Sequence, residues 1–276
     1  MIGKIILFLV AATLLAFAGV AVYAAVLMIR RPPRALYKAR TREPDFIPLS
    51  QIPERQVQLI LKTEDSNFYS HRGYDIEDIR DAWIMNSKAK KIIYGGSTIT
   101  QQLAKNLYFR FTHSYLRKAT ELLIALWLEH SLGKDRILEF YLNIIYFGNG
   151  IYGISNAAPF YFSRPLSDLT LNQMLILACI PAVPTRGNPI QHPKVFQRVR
   201  DRHLARMIKG EKPIIAPAEA EAIYACDADC LDPELKKPDD FTRNFPQTIP
   251  PDQRALWPVY RRPGDIRKYR TMLVAH

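Results

Sequence analysis

Glu64 is an acid placed where hydrocarbon belongs. Along residues 53–68, Val57, Ile60, Leu61 and Phe68 recur at helical spacing on one face, and Glu64 falls among them, three residues after Leu61 and four after Ile60. A carboxylate turned toward a core is costly unless it is protonated, paired or at work. Desolvation disfavours its charged form, so its pKa rises and it can serve as a general base near neutral pH. The same residues also allow a helix that ends near Glu64 and leaves it in water, or a structural pairing with Lys or Arg.

Downstream, GGSTITQQLAKN runs from Gly95 to Asn106. Gly95 and Gly96 let backbone amides approach an anion, and a helix starting after Ser97 and Thr98 points its positive end to the same place. A diphosphate fits such a cradle, although Gly-Gly-Ser-Thr is equally the form of a turn with a helix cap. Thr98, Gln101, Gln102 and Lys105 recur within two turns and can line one groove, with Lys105 binding an anion or merely solvated. Arg117, Lys118 and Glu121 form i,i+4 and i,i+3 pairs at the start of a helix whose later part, LLIALWL, is apolar all round. Arg136, Glu139 and Asn143 make a polar seam on the apolar stretch ILEFYLNII and are assigned to structure, holding helices together.

Taken in order, EDSNFYSHRG at 64–73, GGSTITQQLAKN at 95–106, RKATE at 117–121, KDRILEFYLNIIYFGNGIYG at 134–153 and LTLNQMLILACIPAVPTRGNP at 169–189 resemble the signature blocks of the peptidoglycan glycosyltransferases. The resemblance covers residues 47–207 and implies a mainly α, lysozyme-like glycosyltransferase domain with an N-terminal transmembrane helix, which polymerises lipid II. It implies that Glu64 is the base activating the 4-hydroxyl of the acceptor sugar, with inversion at the anomeric centre of the lipid-linked chain. Glu121 becomes the second catalytic acid, assisting the departing diphosphate directly or through a metal. Ser97, Thr98, Gln101, Gln102, Lys105, Asn106, Arg117 and Lys118 become substrate-binding residues, with Asp65, Phe68, His71, Gly73 and His113 in support. Taken alone, His71 reads as a packing or capping residue. No cofactor is required by the sequence, although a divalent cation, Mg or Mn, is compatible with the diphosphate site. The implied partners are lipid II, the growing lipid-linked glycan strand, the inner membrane, and other cell-wall synthesis or division proteins. The implied inhibitor is moenomycin, which occupies the donor side in this family.

Two residues depart from the family pattern. His113 stands four residues before Arg117, where an arginine is usual; it is only partly charged at neutral pH and lacks the bidentate fork. Gln173 replaces a common acid, but three residues after Thr170 it completes a capping box as well as Glu would. Residues 74–94 correspond to a mobile, membrane-dipping flap in the family. Here they carry Trp83, Ile84, Met85, Ile92, Ile93 and Tyr94 beside Lys88, Lys90 and Lys91, which suits an anionic interface, while ordinary packing explains the early part equally well.

The elements that must position these residues are helical. Periodicity predicts helices over 53–68, 76–87, 98–107, 115–132, 136–145, 151–162, 171–180 and 193–208, with no repeated strand alternation. The 276 residues divide into an N-terminal transmembrane anchor at 1–30, a basic, proline-bearing stalk at 31–46, the glycosyltransferase domain at 47–208 and an irregular extension at 209–276 with a short helix at 219–224. Charge counting sets six basic residues after the span against Lys4 before it, which places the domain in the cytoplasm. The resemblance places it on the periplasmic or external face, and long domains translocate largely regardless of flanking charge. A net charge of +12 favours anionic partners, and the anchor directs that preference to membrane and anionic lipid rather than nucleic acid. Cys179 reads as inert core, and Cys226 with Cys230 leaves a disulfide open. Ser87 and Lys90 match SxxK by chance without a KTG partner, so the chain reads as a monofunctional enzyme. A lysozyme-like glycan-cleaving enzyme and a weakly active envelope scaffold are the competing readings.

Overall fold

The computed structural model describes residues 2–89, 96–109, 115–209 and 213–225. Its helices in chain order are α1 (Ile2–Arg30), α2 (Pro33–Arg40), α3 (Glu54–Glu64), α4 (Ile76–Ala89), α5 (Ile99–Tyr108), α6 (Tyr115–Leu132), α7 (Lys134–Ile144), α8 (Ile154–Phe162), α9 (Leu171–Cys179), α10 (Pro193–Met207) and α11 (Pro217–Tyr224). Among the described residues, an isolated antiparallel bridge between Tyr146 and Tyr152 is the only β pairing. The mainly α expectation holds.

The centre is α7. Ile137, Leu138, Phe140, Tyr141, Leu142 and Ile144 are all fully buried, because this helix is covered by α5, α6 and α8 in turn. A second layer packs α3 against α9, with α10 lying against both. Boundaries follow local chemistry. Gly133 at φ +79° separates α6 from α7, a conformation in which a Cβ would be strained. Thr170 and Gln173 form the expected capping box at the start of α9.

The predicted helix at 53–68 is shorter than expected. It ends at Glu64, and Asp65 leaves helical geometry with φ −164° and ψ 82° because its carboxylate is drawn to another helix. Phe68 is therefore buried by the following turn rather than by the helix face, with the Lys134 ammonium 4.4 Å from its ring centre. The fully buried face of α3 is Gln56, Leu59 and Ile60, whereas Val57 and Leu61 are only partly buried.

The stalk expectation is corrected. Residues 33–40 form α2, which packs on α6 and α7 with Leu36 buried. Arg40 is fully buried, bidentate to Asp45 at 2.6 and 2.9 Å and bonded to the Asn143 carbonyl at 3.0 Å. A proline pair reads as a turn, but Pro33 occupies the first helical turn, where a missing N–H costs nothing. The expected seam fixes the rest of the segment: Glu139 accepts from the Tyr37 hydroxyl and from Leu49 N at 2.6 Å, and Asn143 exchanges hydrogen bonds with the backbone of Ile47 at 2.9 and 2.8 Å. Arg136 lies outside this bonding and stacks over the Tyr37 ring.

The first part of the C-terminal extension is likewise domain rather than tail. Ile215, Ala220 and Ile223 are buried, and Glu219 pairs with Arg55 at 2.6 Å. Cys226 and Cys230 lie outside the described residues.

α1 is long and apolar enough to cross a membrane, and most of its length is exposed. Its last turns are docked: Ala24 is buried, Leu27 and Met28 pack on the core, and α1 runs against α6. Arg31 donates to the Leu107 carbonyl at 2.8 Å, and the Tyr108 hydroxyl donates back to the Arg31 carbonyl at 2.7 Å.

Candidate active site

Four helices supply the groups around Glu64. The end of α3 presents it, α5 crosses in front, α6 brings a cationic turn, and α7 supplies a buried backing. Glu64 Oε2 accepts from the Gln102 side-chain amide at 2.8 Å, while Oε1 is enclosed and has no hydrogen-bond partner among the described residues. Burial pushes the Glu64 pKa up; the Gln102 hydrogen bond and the Lys105 charge pull it back, and neighbouring Asp65 adds to the rise. Enclosure thus gives Glu64 the raised basicity that its place in the hydrophobic pattern predicts.

Asp65 holds the corner. Its side chain is buried, and Oδ2 accepts from Ile99 N at 2.9 Å. Both carboxylate oxygens lie 3.0 Å from His71 Nε2. Gly73 N donates to His71 Nδ1 at 3.1 Å, which assigns the ring proton to Nε2 and aims it at Asp65. The chain must turn sharply at Gly73, at φ +90°, where a Cβ would lie 3.2 Å from the Ala125 backbone. Thr98 completes the joint by donating to the Gly73 carbonyl at 2.8 Å and accepting from Gln101 N at 3.2 Å.

Two amides of the first turn of α5 have oxygen partners within the protein, Ile99 N with Asp65 and Gln101 N with Thr98, so a carboxylate already lies at the positive end of the helix. Gly96 is half-buried, and Gly95 lies outside the described residues. Thr98 and Gln101 are buried and stand behind the site as joints.

The cations form the other wall. Glu121 is buried between Arg117 Nε at 3.1 Å and Lys118 Nζ at 3.3 Å. Lys118 also donates to Ser97 Oγ at 2.8 Å and Gln101 Oε1 at 3.3 Å, tying α6 to the start of α5. Lys105 keeps an exposed side chain, yet its ammonium is crowded: partial dehydration lowers its pKa first, Arg117 and Lys118 lower it further, and Glu121 and Glu64 oppose them. Lys105 therefore feels both acids and both other cations. Asn106 lies one turn beyond Gln102 on the same side of α5, half-buried. His113 lies outside the described residues, as does the later part of the flap.

Among the described residues no group of three His, Cys, Asp or Glu side chains is placed to hold a divalent cation, and Glu121 is paired with two side-chain cations.

Tyr141 is the residue that sequence reasoning missed. Its hydroxyl donates to Gln102 Oε1 at 3.2 Å, but a tyrosine inside ILEFYLNII reads as core, and nothing local signals that its hydroxyl reaches α5. The Glu129 cluster was equally silent: Thr100 Oγ1 at 2.6 Å and Lys134 Nζ at 2.8 Å both bond its carboxylate, beneath Gly73.

The chain is similar to several known proteins. It is 45% identical over 167 residues to penicillin-binding protein 4 of Bacillus subtilis, a match covering 60% of this chain and 26% of that one. It is 41% identical over 163 residues to penicillin-binding protein 1A of Pseudomonas aeruginosa, covering 59% and 20% respectively. Against the biosynthetic peptidoglycan transglycosylase of Ralstonia nicotianae it is 42% identical over 155 residues, covering 56% of this chain and 62% of that protein. The chain thus spans only a minor part of the two penicillin-binding relatives. The transglycosylase family model matches residues 33–208, from the first residue of α2 to the residue after α10, so the match takes in the segment read as a stalk and every helix around Glu64. The chain belongs to the transglycosylase family.

Proposed function

We propose that this chain polymerises lipid II into peptidoglycan glycan strands by inverting glycosyl transfer, with undecaprenyl diphosphate as the leaving group. The observation that carries the reading is a Glu64 carboxylate with an enclosed, unpartnered Oε1, within electrostatic reach of Lys105, which in turn neighbours a group where Arg117 and Lys118 outnumber Glu121. Glu64 takes the proton of the acceptor 4-hydroxyl, whose oxygen forms a bond to the donor's anomeric carbon. The bond from that carbon to the diphosphate breaks, and its electron pair leaves with the diphosphate, which the cations stabilise. A glycan-cleaving enzyme has no anionic leaving group to use those cations. The name of the Ralstonia nicotianae relative, a biosynthetic transglycosylase, favours the same direction.

In this reading α1 crosses the inner membrane once, with the domain on the periplasmic or external face. Of the basic residues after the span, Arg31, Arg34 and Arg40 are engaged with Leu107, Ser131 and Asp45 of the domain. The charge count that argued for a cytoplasmic domain thus includes groups spent on folding.

The test is incubation of the full chain with labelled lipid II in detergent, followed by separation of products. Lipid-linked polymer is the expected result. Cleavage of finished glycan without polymer would overturn the proposal, as would binding without turnover.

A further inference from the structure

Both ends of the Gln102 amide are occupied. Nε2 donates to Glu64 Oε2 at 2.8 Å, and Oε1 accepts from the Tyr141 hydroxyl at 3.2 Å. Three helices are linked in one line, α7 through α5 to α3. Tyr141 is fully buried, so its hydroxyl does not exchange this partner for bulk water. An ionised Glu64 requires the NH2 end of the amide, which leaves the carbonyl end to be satisfied by a donor, and Tyr141 is that donor. If the donor is removed, the amide orientation that serves the ionised carboxylate leaves a polar oxygen unpaired, and that cost falls on the charged form of Glu64 alone.

We propose that Tyr141 is a positioning residue for Glu64, acting through Gln102, and that the pair pins Oε2 and so fixes the orientation of the carboxylate that takes the acceptor's proton. This rests on the reading of Glu64 as the general base. It moves Gln102 from the substrate-binding wall, where the family resemblance put it, to the support of the base. The geometry distinguishes the two oxygens without reference to any ligand: one is held by a directed donor, and the other is enclosed without a hydrogen-bond partner among the described residues. Other ionisable groups that act on or feel Glu64 are Asp65 next to it, Lys105 on α5 and Cys179 on α9. The substitutions below alter none of them.

The test uses the full chain with labelled lipid II in detergent, measuring kcat and KM across pH for the wild type, Tyr141→Phe, Gln102→Leu and the double variant, with Glu64→Gln as reference. Loss of a directed N–H bond to a carboxylate is expected to move the acid limb of the kcat profile upward by about one pH unit in Gln102→Leu. Tyr141→Phe is expected to move it in the same direction by less, and the double variant to match Gln102→Leu, since Tyr141 acts only through the amide. KM is expected to stay within about twofold of wild type. Thermal unfolding checks that each variant is folded. The Glu64 carboxyl stretch, identified by its loss in Glu64→Gln and titrated by infrared spectroscopy, reads the same pKa without turnover. An unmoved acid limb in either single variant, additive shifts in the double variant, or a raised KM at unchanged kcat would each overturn the relay. Polymerisation by Glu64→Gln would instead remove the base assignment itself.

Discussion

Asp65 and Ile99 join the two halves of the site: the carboxylate next to the candidate base accepts the first backbone amide of α5 at 2.9 Å. Helix α5 carries Gln102 and Lys105, so the residue after Glu64 fixes the helix that Glu64 faces. Asp65→Ala is expected to cost about 2–3 kcal/mol of stability, because a buried cap is lost and His71 is left facing an empty corner. Denaturant unfolding measures the loss. A variant as stable as wild type would show that the joint is decorative.

Glu64→Gln keeps shape and loses basicity. It is expected to fold normally and abolish polymerisation, and Glu121→Gln is expected to be severe for the diphosphate side. Retention of more than about a tenth of the wild-type rate, a loss below ~1.4 kcal/mol of transition-state stabilisation, would remove the essential role of that residue.

Moenomycin binding probes the cationic wall. Lys105→Ala and Arg117→Ala are each expected to weaken binding about tenfold or more, since each removes a charge that the proposed function assigns to phosphate. Calorimetric titration of the antibiotic into the detergent-solubilised chain gives the constants, and unchanged affinity in both variants would detach the wall from phosphate recognition.

His203 on α10 gives the fold an acid-sensitive point. Burial, with Arg206 and Arg202 nearby, lowers its pKa to about 4, and its Nδ1 has no hydrogen-bond partner among the described residues. The unfolded chain therefore takes up this proton at higher pH than the folded one, so the contribution to stability is full above the ordinary histidine range and is lost as pH falls toward 4. His203→Leu is expected to flatten the stability profile between pH 4 and 6.5 relative to wild type by up to about 3 kcal/mol. Comparing the two proteins cancels carboxylates such as Glu64, whose raised pKa acts in the opposite sense. Parallel urea midpoints at both ends of the window would sink the assignment.

Arg40→Leu tests whether residues 33–46 belong to the domain. Removal of the fully buried guanidinium takes from Asp45 its ion-pair partner, leaving it the Asn156 amide at 2.6 Å, and takes a donor from the Asn143 carbonyl, and about 1–3 kcal/mol of destabilisation is expected from the groups left without it. A loss within about 0.5 kcal/mol, as for a surface residue, would restore the stalk.

The sequence by itself determined what depends on neighbours along the chain. The out-of-place acid at Glu64, the capping pair Thr170 and Gln173, the break at Gly133 and the apolar span of α1 are local patterns, and the helices around them follow from 3.6-residue periodicity. Family resemblance came from ordered blocks, which are also local. Tertiary structure decided what depends on partners distant in sequence. Only packing could turn Arg40 from a basic stalk residue into a buried ion pair, because its partner Asp45 and the Asn143 carbonyl meet it after α2 docks on α7. It alone could bring the Asp65 carboxylate to the first amide of α5. The same holds for Tyr141 and Gln102, 39 residues apart: periodicity states that Tyr141 faces inward, but a hydrogen bond is set by direction and distance across two helices, and these exist only once the helices have packed.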